Sequence, residues 1–203
     1  MNAGPKDASD TKRKIFEAAL ECFSNKGYEG STMDDVIAAA GVSKGSIYWH
    51  FKSKRELFIE LLDYWWEGLI ERYERFLTSG GSAMERISKA LWMTIDVSAD
   101  DIYLLRAFME FFNIGMRDPH FMKHMLGYYE RGFELMARVI EEGIENGEFG
   151  ITDARFHSEA INSYIDGLMM HIIFDPDYFQ KDVVEKSLQF VKRALLYKGE
   201  KES

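Results

Sequence analysis

Residues 41–51 read GVSKGSIYWHF. Gly41 permits the positive φ that a sharp chain reversal needs. Ser43 can cap a short helix, and Val42 and Ile47 stand at the two positions of a hydrophobic staple. Just upstream, TMDDVIAAA at 32–40 is a second short helix, with Thr32 and Asp35 at capping-box spacing. Helix, short turn with glycine, helix is the helix-turn-helix arrangement, whose second helix lies in the DNA major groove. Ile47 and Phe51 are four apart and face a core. Lys44, Gly45, Ser46, Tyr48, Trp49 and His50 are left outward.

Those outward residues suit DNA. Lys44 and Ser46 can donate to base edges or phosphates, and Gly45 lets the backbone approach closely. Tyr48, His50 and Lys54 can donate to phosphate oxygens, and Trp49 can pack on a sugar or a thymine methyl. The competing reading is a surface helix whose aromatic residues meet another protein subunit.

A longer segment discriminates between them. IFEAALECFSNKGYEGSTMDDVIAAAGVSKGSIYWHFKSKRELF closely resembles the N-terminal domain of the TetR family of transcriptional regulators. The likeness runs over about residues 11–60, through AALECF, KGY, ST, AGVSKGSIYWHF and KSKREL. It implies that Thr32 touches phosphate at the start of the second helix and that Lys44, Gly45 and Ser46 face bases. Tyr48, Trp49, His50 and Lys54 would hold the DNA backbone. Met33 departs from members that carry arginine there for base contact. Lys12, Arg13 and Lys14 form either a minor-groove arm or a solvated helix start.

Composition fits an intracellular regulator. The 203 residues are 46% hydrophobic and 14% aromatic, enough for a real core and too apolar for a disordered chain. One cysteine, Cys22, leaves no disulfide framework, and on the first helix it reads as a small buried residue. The start has no apolar signal, and the densest apolar run, GLMMHIIF, is too short for a membrane helix. A cytoplasmic protein with no membrane partner is expected. The net charge of −9 is unevenly spread. Residues 1–58 hold nine Lys/Arg against eight Asp/Glu, so the excess acid lies downstream, as in chains with one polyanion-facing end.

Helix signals recur throughout, and strand alternation is nowhere sustained. Thr32, Ser53 and Ser82 each precede an acid by three residues. Asp118-Pro119 and Asp175-Pro176 place proline at a first helical position, and Asn146-Gly147 is a helix stop. Nine helices follow, at about 10–26, 33–40, 44–50, 54–78, 83–97, 100–116, 119–146, 152–173 and 177–197, with ends uncertain by two to four residues. The expected fold is all-α. An N-terminal three-helix helix-turn-helix domain (9–54) precedes a helical ligand-binding and dimerisation domain (55–203).

Downstream of residue 60 the motifs are less sharp. Phe58, Leu62, Trp65, Leu69, Tyr73 and Phe76 make a continuous stripe on the fourth helix. Met and aromatic residues fill helices five to eight, where plain core is the more common explanation. Methionine also serves adaptable binding surfaces. The expected ligand site takes Trp92, Arg106, Phe108, Phe112, Tyr164, Met169 and His171, around a mostly apolar small molecule. Glu110, Asn113, Asn162 and Asp166 are further polar groups able to orient a ligand. Val184, Leu188, Val191 and Leu195, with Gly167 on the preceding helix, make narrow seams for a homodimer or for the monomer's own core.

Enzyme signatures are absent from the sequence: no phosphate loop, no Gly-x-Ser-x-Gly, and adjacent acid pairs (Asp100-Asp101, Glu141-Glu142) that diverge on a helix. His120 and His124 have zinc-compatible spacing but no further ligands. No cofactor and no metal is expected. The reading is a repressor that binds palindromic double-stranded operator DNA as a homodimer and is released by ligand. The alternatives are a helical protein-interaction module and a small helical enzyme.

Overall fold

The structure, a computed structural model, describes residues 5–95, 109, 116, 119–174 and 181–196. Among them every regular element is an α-helix: α1 (Pro5–Gly30), α2 (Met33–Ala40), α3 (Lys44–His50), α4 (Lys54–Leu77), α5 (Ala83–Ile95), α6 (Pro119–Glu145), α7 (Ala154–Phe174) and α8 (Lys181–Leu196). Apart from residues 109 and 116, the helix expected at 100–116 falls outside the described residues, as does the Asp175-Pro176 start. Two compact units divide the chain; the first runs to Glu67, and the second begins at Gly68 and includes Lys123 onward. The break expected after residue 54 coincides with the start of α4, and the units part further along that helix.

The first unit closes around Ile15, Phe16, Ala19 and Phe23 of α1, Val36 of α2, Ile47 of α3, Phe51, and Leu57, Phe58, Leu61 and Leu62 of α4, all buried. Tilted and edge-on rings bind these elements together: Phe16 lies 5.5 Å from Phe51, and Phe23 lies 5.5 Å from Phe58. Cys22 is buried there as well, and burial raises its thiol pKa, which leaves it unreactive.

α1 starts earlier than expected, and Lys12, Arg13 and Lys14 lie inside it rather than on an arm. Lys12 Nζ sits 2.7 Å from Glu60, and Arg13 pairs with Glu17 one turn on. Near its end the helix breaks at Gly27 (φ 75°, ψ 161°), a conformation that glycine adopts without a Cβ penalty. Tyr28 then packs its ring 4.3 Å from that of Phe58. The carbonyls of Tyr28 and Ser31 accept from one donor, the Lys54 ammonium, at 2.6 and 2.8 Å. Lys54 Nζ also lies 4.3 Å from the Tyr28 ring centroid, within cation–π range. The first residue of α4 thus satisfies the frayed end of α1.

α2 and α3 hang on this frame. Thr32 caps α2 with a full capping box: Asp35 N–H donates to Thr32 Oγ1 (3.1 Å), and Thr32 N–H donates to Asp35 Oδ2 (2.9 Å). Lys26 Nζ closes on Asp35 Oδ1 at 2.6 Å. The Lys26 ammonium and the two Thr32 donors together pull the Asp35 carboxyl down to about 2. Gly41 ends α2 in the left-handed region (φ 62°, ψ 31°) and donates back to Ile37 O. Ser43 caps α3 by accepting from Ser46 N–H at 3.1 Å.

The second unit buries Ile70, Tyr73 and Leu77 of α4, Ile87 and Leu91 of α5, Met136 and Ile140 of α6, Ile161 and Ile165 of α7, and Val191 and Leu195 of α8. Its α6–α7 link packs Phe149 tightly on Gly143, where any Cβ would collide with the ring. Glu148 accepts from Ala83 N–H (3.2 Å) and Met84 N–H (3.4 Å) at the start of α5. The expected stripe on α4 is buried only in part. Phe58 and Leu62 are buried in the first unit, Tyr73 in the second, and Phe76 is exposed.

Two substitutions check this account. Gly41→Ala should cost about 1 kcal/mol in chemical denaturation, because alanine resists the left-handed region. Gly68→Ala, on an exposed face with nothing near a new Cβ, should instead stabilise by roughly 0.5–1 kcal/mol. The Asp35 cap carries a pH signature. Its folded pKa lies below the unfolded value, so its stabilisation is complete above about pH 4 and disappears as the pH falls to about 2. The stability gap between the wild type and Asp35→Asn should therefore narrow over that range; a gap independent of pH would contradict the assignment.

Candidate nucleic-acid interface

α3 presents a narrow face. Ile47 and Phe51 are fully buried, as their spacing requires, which fixes the rotation of the helix. Lys44 and Gly45 are exposed, Tyr48 is 42% and Trp49 75% exposed, and Ser46 and His50 are half-buried. The Trp49 ring stands edge-on to His50 at 4.6 Å, which holds both side chains on the surface. Burial and the nearby Lys12 ammonium hold the His50 imidazole below its ordinary pKa, so at neutral pH it is an uncharged donor.

Three expected contacts are positioned differently from their sequence reading. Lys54 spends two hydrogen bonds on Tyr28 O and Ser31 O, which makes it a strut of the interface. The Thr32 side chain is engaged with Asp35 in both directions, so α2 offers its N-terminal N–H groups rather than a free hydroxyl. Lys44 Nζ pairs with Asp34 Oδ1 at 3.0 Å across the turn and lies 6.0 Å from the Tyr48 ring. Asp34 was not singled out in the sequence; its place in the first turn of α2, ten residues before Lys44, was the available signal. Both members of that pair are well exposed, so it orients the ammonium at little energetic cost.

The expected ligand lining does not converge among the described residues. Arg106, Phe108 and Phe112 fall outside them. Trp92 is 40% exposed on α5, His171 is exposed, and Met169 packs against the core. Tyr164 turns towards α8: its hydroxyl donates to Ser187 Oγ at 3.0 Å, and its ring lies 4.9 Å from Phe190. The opposite flank of α7 carries Asn162 and Asp166, one turn apart. There Tyr73 of α4 donates to Asn162 Oδ1 at 3.5 Å, and Tyr129 of α6 donates to the Asp166 carboxylate. Neither tyrosine was picked out for this role from sequence: Tyr73 stands in the α4 stripe, and Tyr129 was not singled out.

The residues expected at a dimer seam are largely covered within the chain. Val184, Val191 and Leu195 are buried by this chain's own helices, and Leu188 packs against the same core. Gly167 stays exposed, with open space where a Cβ would be. It belongs to an exposed stripe on α7 formed by Phe156, Ala160, Ser163, Gly167 and Phe174, at helical spacing. Phe156 and Phe174 are 61% and 76% exposed, and Phe190 of α8 is 56% exposed.

Among the described residues no group of three or more metal-ligating side chains comes together, and no helix is long and apolar enough to cross a membrane.

Comparison with known proteins agrees with this architecture. Residues 15–61 match the family described as bacterial regulatory proteins, tetR family, and residues 83–196 match the BetI-type transcriptional repressor C-terminal family. The chain is 42% identical over 55 residues to the HTH-type transcriptional regulator AcrR of Shigella flexneri, which spans 27% of this chain and 26% of that protein. It is 29% identical over 139 residues to the uncharacterized HTH-type regulator YhgD of Bacillus subtilis, covering 68% and 71% of the two. A TetR transcription regulator from Haloarcula marismortui shares the fold with a TM-score of 0.82 at 19% identity, covering 93% of this chain and 100% of the other. FadR from Bacillus subtilis, solved with stearoyl-CoA, superposes with a TM-score of 0.73 at 24% identity over 93% and 99% of the chains. A regulator from Saccharomonospora viridis, solved with choline, gives 0.77 at 21% identity over 90% and 94%. With a helix-turn-helix that buries Ile47 and Phe51 to present Tyr48 and Trp49, and with both parts of its length matched, this chain belongs to the TetR family of bacterial regulatory proteins.

Proposed function

We propose that the protein is a homodimeric repressor that binds a palindromic operator and is released from it by a small molecule. The observation that carries this reading is the α3 face: Lys44, Gly45, Tyr48 and Trp49 outward on a helix whose rotation is locked by two fully buried side chains. In this reading Lys44 and Ser46 address base edges, while Tyr48, Trp49 and His50 grip the backbone and Gly45 admits close approach. The N–H groups at the start of α2, behind Thr32, complete the phosphate grip. Two such helices bound in successive major grooves require a dimer, and the exposed α7 stripe centred on Gly167 supplies an apolar seam. Action on DNA places the protein in the cytoplasm, without catalytic chemistry of its own. The fold neighbours hold ligands as different as stearoyl-CoA and choline, which supports a ligand-controlled switch in the second unit and leaves the ligand class to the residues of this chain.

Selection from a random duplex library tests the reading. The recovered site should be a palindrome with half-site centres about 34–36 Å, or a small multiple of that distance, apart. Tyr48→Ala and Trp49→Ala should weaken binding to all sequences alike, whereas Lys44→Ala should change base preference by about 1–3 kcal/mol at one position. Recovery of no enriched sequence would refute the function. Gly167→Glu places a charge in the proposed seam without crowding the monomer, so sedimentation should show a folded monomer with weakened operator binding. A Gly167→Glu protein that stays dimeric would move the seam elsewhere.

A further inference from the structure

Lys44 opens α3 and Asp34 lies in the first turn of α2, and their charged groups meet on open surface. The Lys44 ammonium is 3.0 Å from Asp34 Oδ1, with the two side chains 67% and 73% exposed. Asp35 beside it is committed to Thr32 and Lys26, whereas among the described residues Asp34 bonds to Lys44. A base edge that reaches the Lys44 ammonium therefore also meets the Asp34 carboxylate. An acid at a DNA surface costs affinity: phosphates repel it, and a base that offers it no N–H leaves it dehydrated and unpaired. In the major groove guanine presents the O6 and N7 acceptors, and its paired cytosine presents the N4 donor. Guanine O6 and cytosine N4 are hydrogen-bonded to each other, about 3 Å apart, which matches the 3.0 Å between Lys44 Nζ and Asp34 Oδ1.

We infer that Asp34 and Lys44 read one G·C base pair in each half-site as a unit, Lys44 donating to guanine and Asp34 accepting from the N4 amino group of its cytosine. This rests on the DNA-binding reading above and adds a specificity-determining residue to it. The four base pairs then fall in order. G·C satisfies both side chains. T·A, with thymine under Lys44, gives the ammonium O4 alone beside a methyl group and still gives Asp34 the adenine N6 donor. A·T and C·G turn an amino group towards Lys44 and a carbonyl oxygen towards Asp34, so both contacts are repulsive. Asp34 acts mainly by exclusion, because it removes affinity from the wrong sites.

The test uses full-length protein and the palindrome recovered by selection, with all four base pairs placed at the position whose preference Lys44→Ala relaxes. In anisotropy titrations at fixed salt, the wild type should prefer G·C there and bind the C·G exchange in one half-site about tenfold more weakly. Asp34→Ala should shrink that penalty to about threefold or less and strengthen binding to unrelated duplex, since a repelled charge is gone and Lys44 is free to hold phosphate. Asp34→Asn should shrink it too, because an amide donates to a carbonyl as well as accepts. Four results would overturn the inference: no position relaxed by Lys44→Ala, a base pair other than G·C there, a penalty that both Asp34 variants leave intact, or equal weakening of every site by both. The last is what a purely structural part in the first turn of α2 produces. A palindrome without that G·C pair would remove this inference and leave the regulator reading standing. Recovery of no enriched sequence would remove both.

Discussion

Two hydrogen bonds from the Lys54 ammonium to the carbonyls of Tyr28 and Ser31 set the geometry on which the DNA-facing end depends. α1 ends in a broken turn at Gly27, and a helix end buried without acceptors for its donors or donors for its carbonyls is costly. By answering those carbonyls from the first residue of α4, the chain closes a loop around α2 and α3. Within that loop Asp35 ties Lys26 to the cap of α2, and Gly41 sets the turn. Ile47 and Phe51 then have one way to bury, and Tyr48 and Trp49 one direction left to face. A side chain that looks like a DNA contact acts first as the clamp of the reading head.

How much of this was legible in the sequence divides by range. Local physics was: the capping box at Thr32, the left-handed Gly41, the Ser43 cap and the buried pair on α3 are all set within four residues of one another. The role of Lys54 was not, because its partners are backbone carbonyls 26 and 23 residues away, and a carbonyl leaves no mark on residue identity. Periodicity on α8 located an apolar face and could not say whose atoms cover it. Val191 and Leu195 are covered by their own chain, and the exposed stripe lies on α7, where alanine, serine and glycine between two phenylalanines give a weak apolar signal. The ligand lining was drawn towards Tyr164 because aromatic residues suggest pockets. Its hydroxyl is spent on Ser187, and the tyrosine-bonded Asn162 and Asp166 sit on the other flank of the same helix.

α7 therefore works on three sides. Its inner face, Ile161 and Ile165, is core; one flank meets α8 through Tyr164, and the other carries Asn162 and Asp166. The remaining stripe through Gly167 is free for a second copy. Because α7 bears the proposed dimer seam, a ligand that shifts this helix changes how two subunits meet. Such coupling requires a differential affinity of the ligand for the two arrangements, and it is reciprocal: operator DNA weakens ligand binding by the same factor.

The central claim is that the reading head is built by an internal strut and reads DNA with α3. Salt dependence of operator affinity separates strut from contact, because each lost phosphate contact lowers the slope of log K against log salt by about one. For Lys54→Met, measured against the palindrome recovered by selection, the account predicts weaker binding at every salt concentration, a lower unfolding midpoint and an unchanged slope. A slope reduced by about one, with stability unaltered, would mean that Lys54 holds phosphate and that the frame is built some other way.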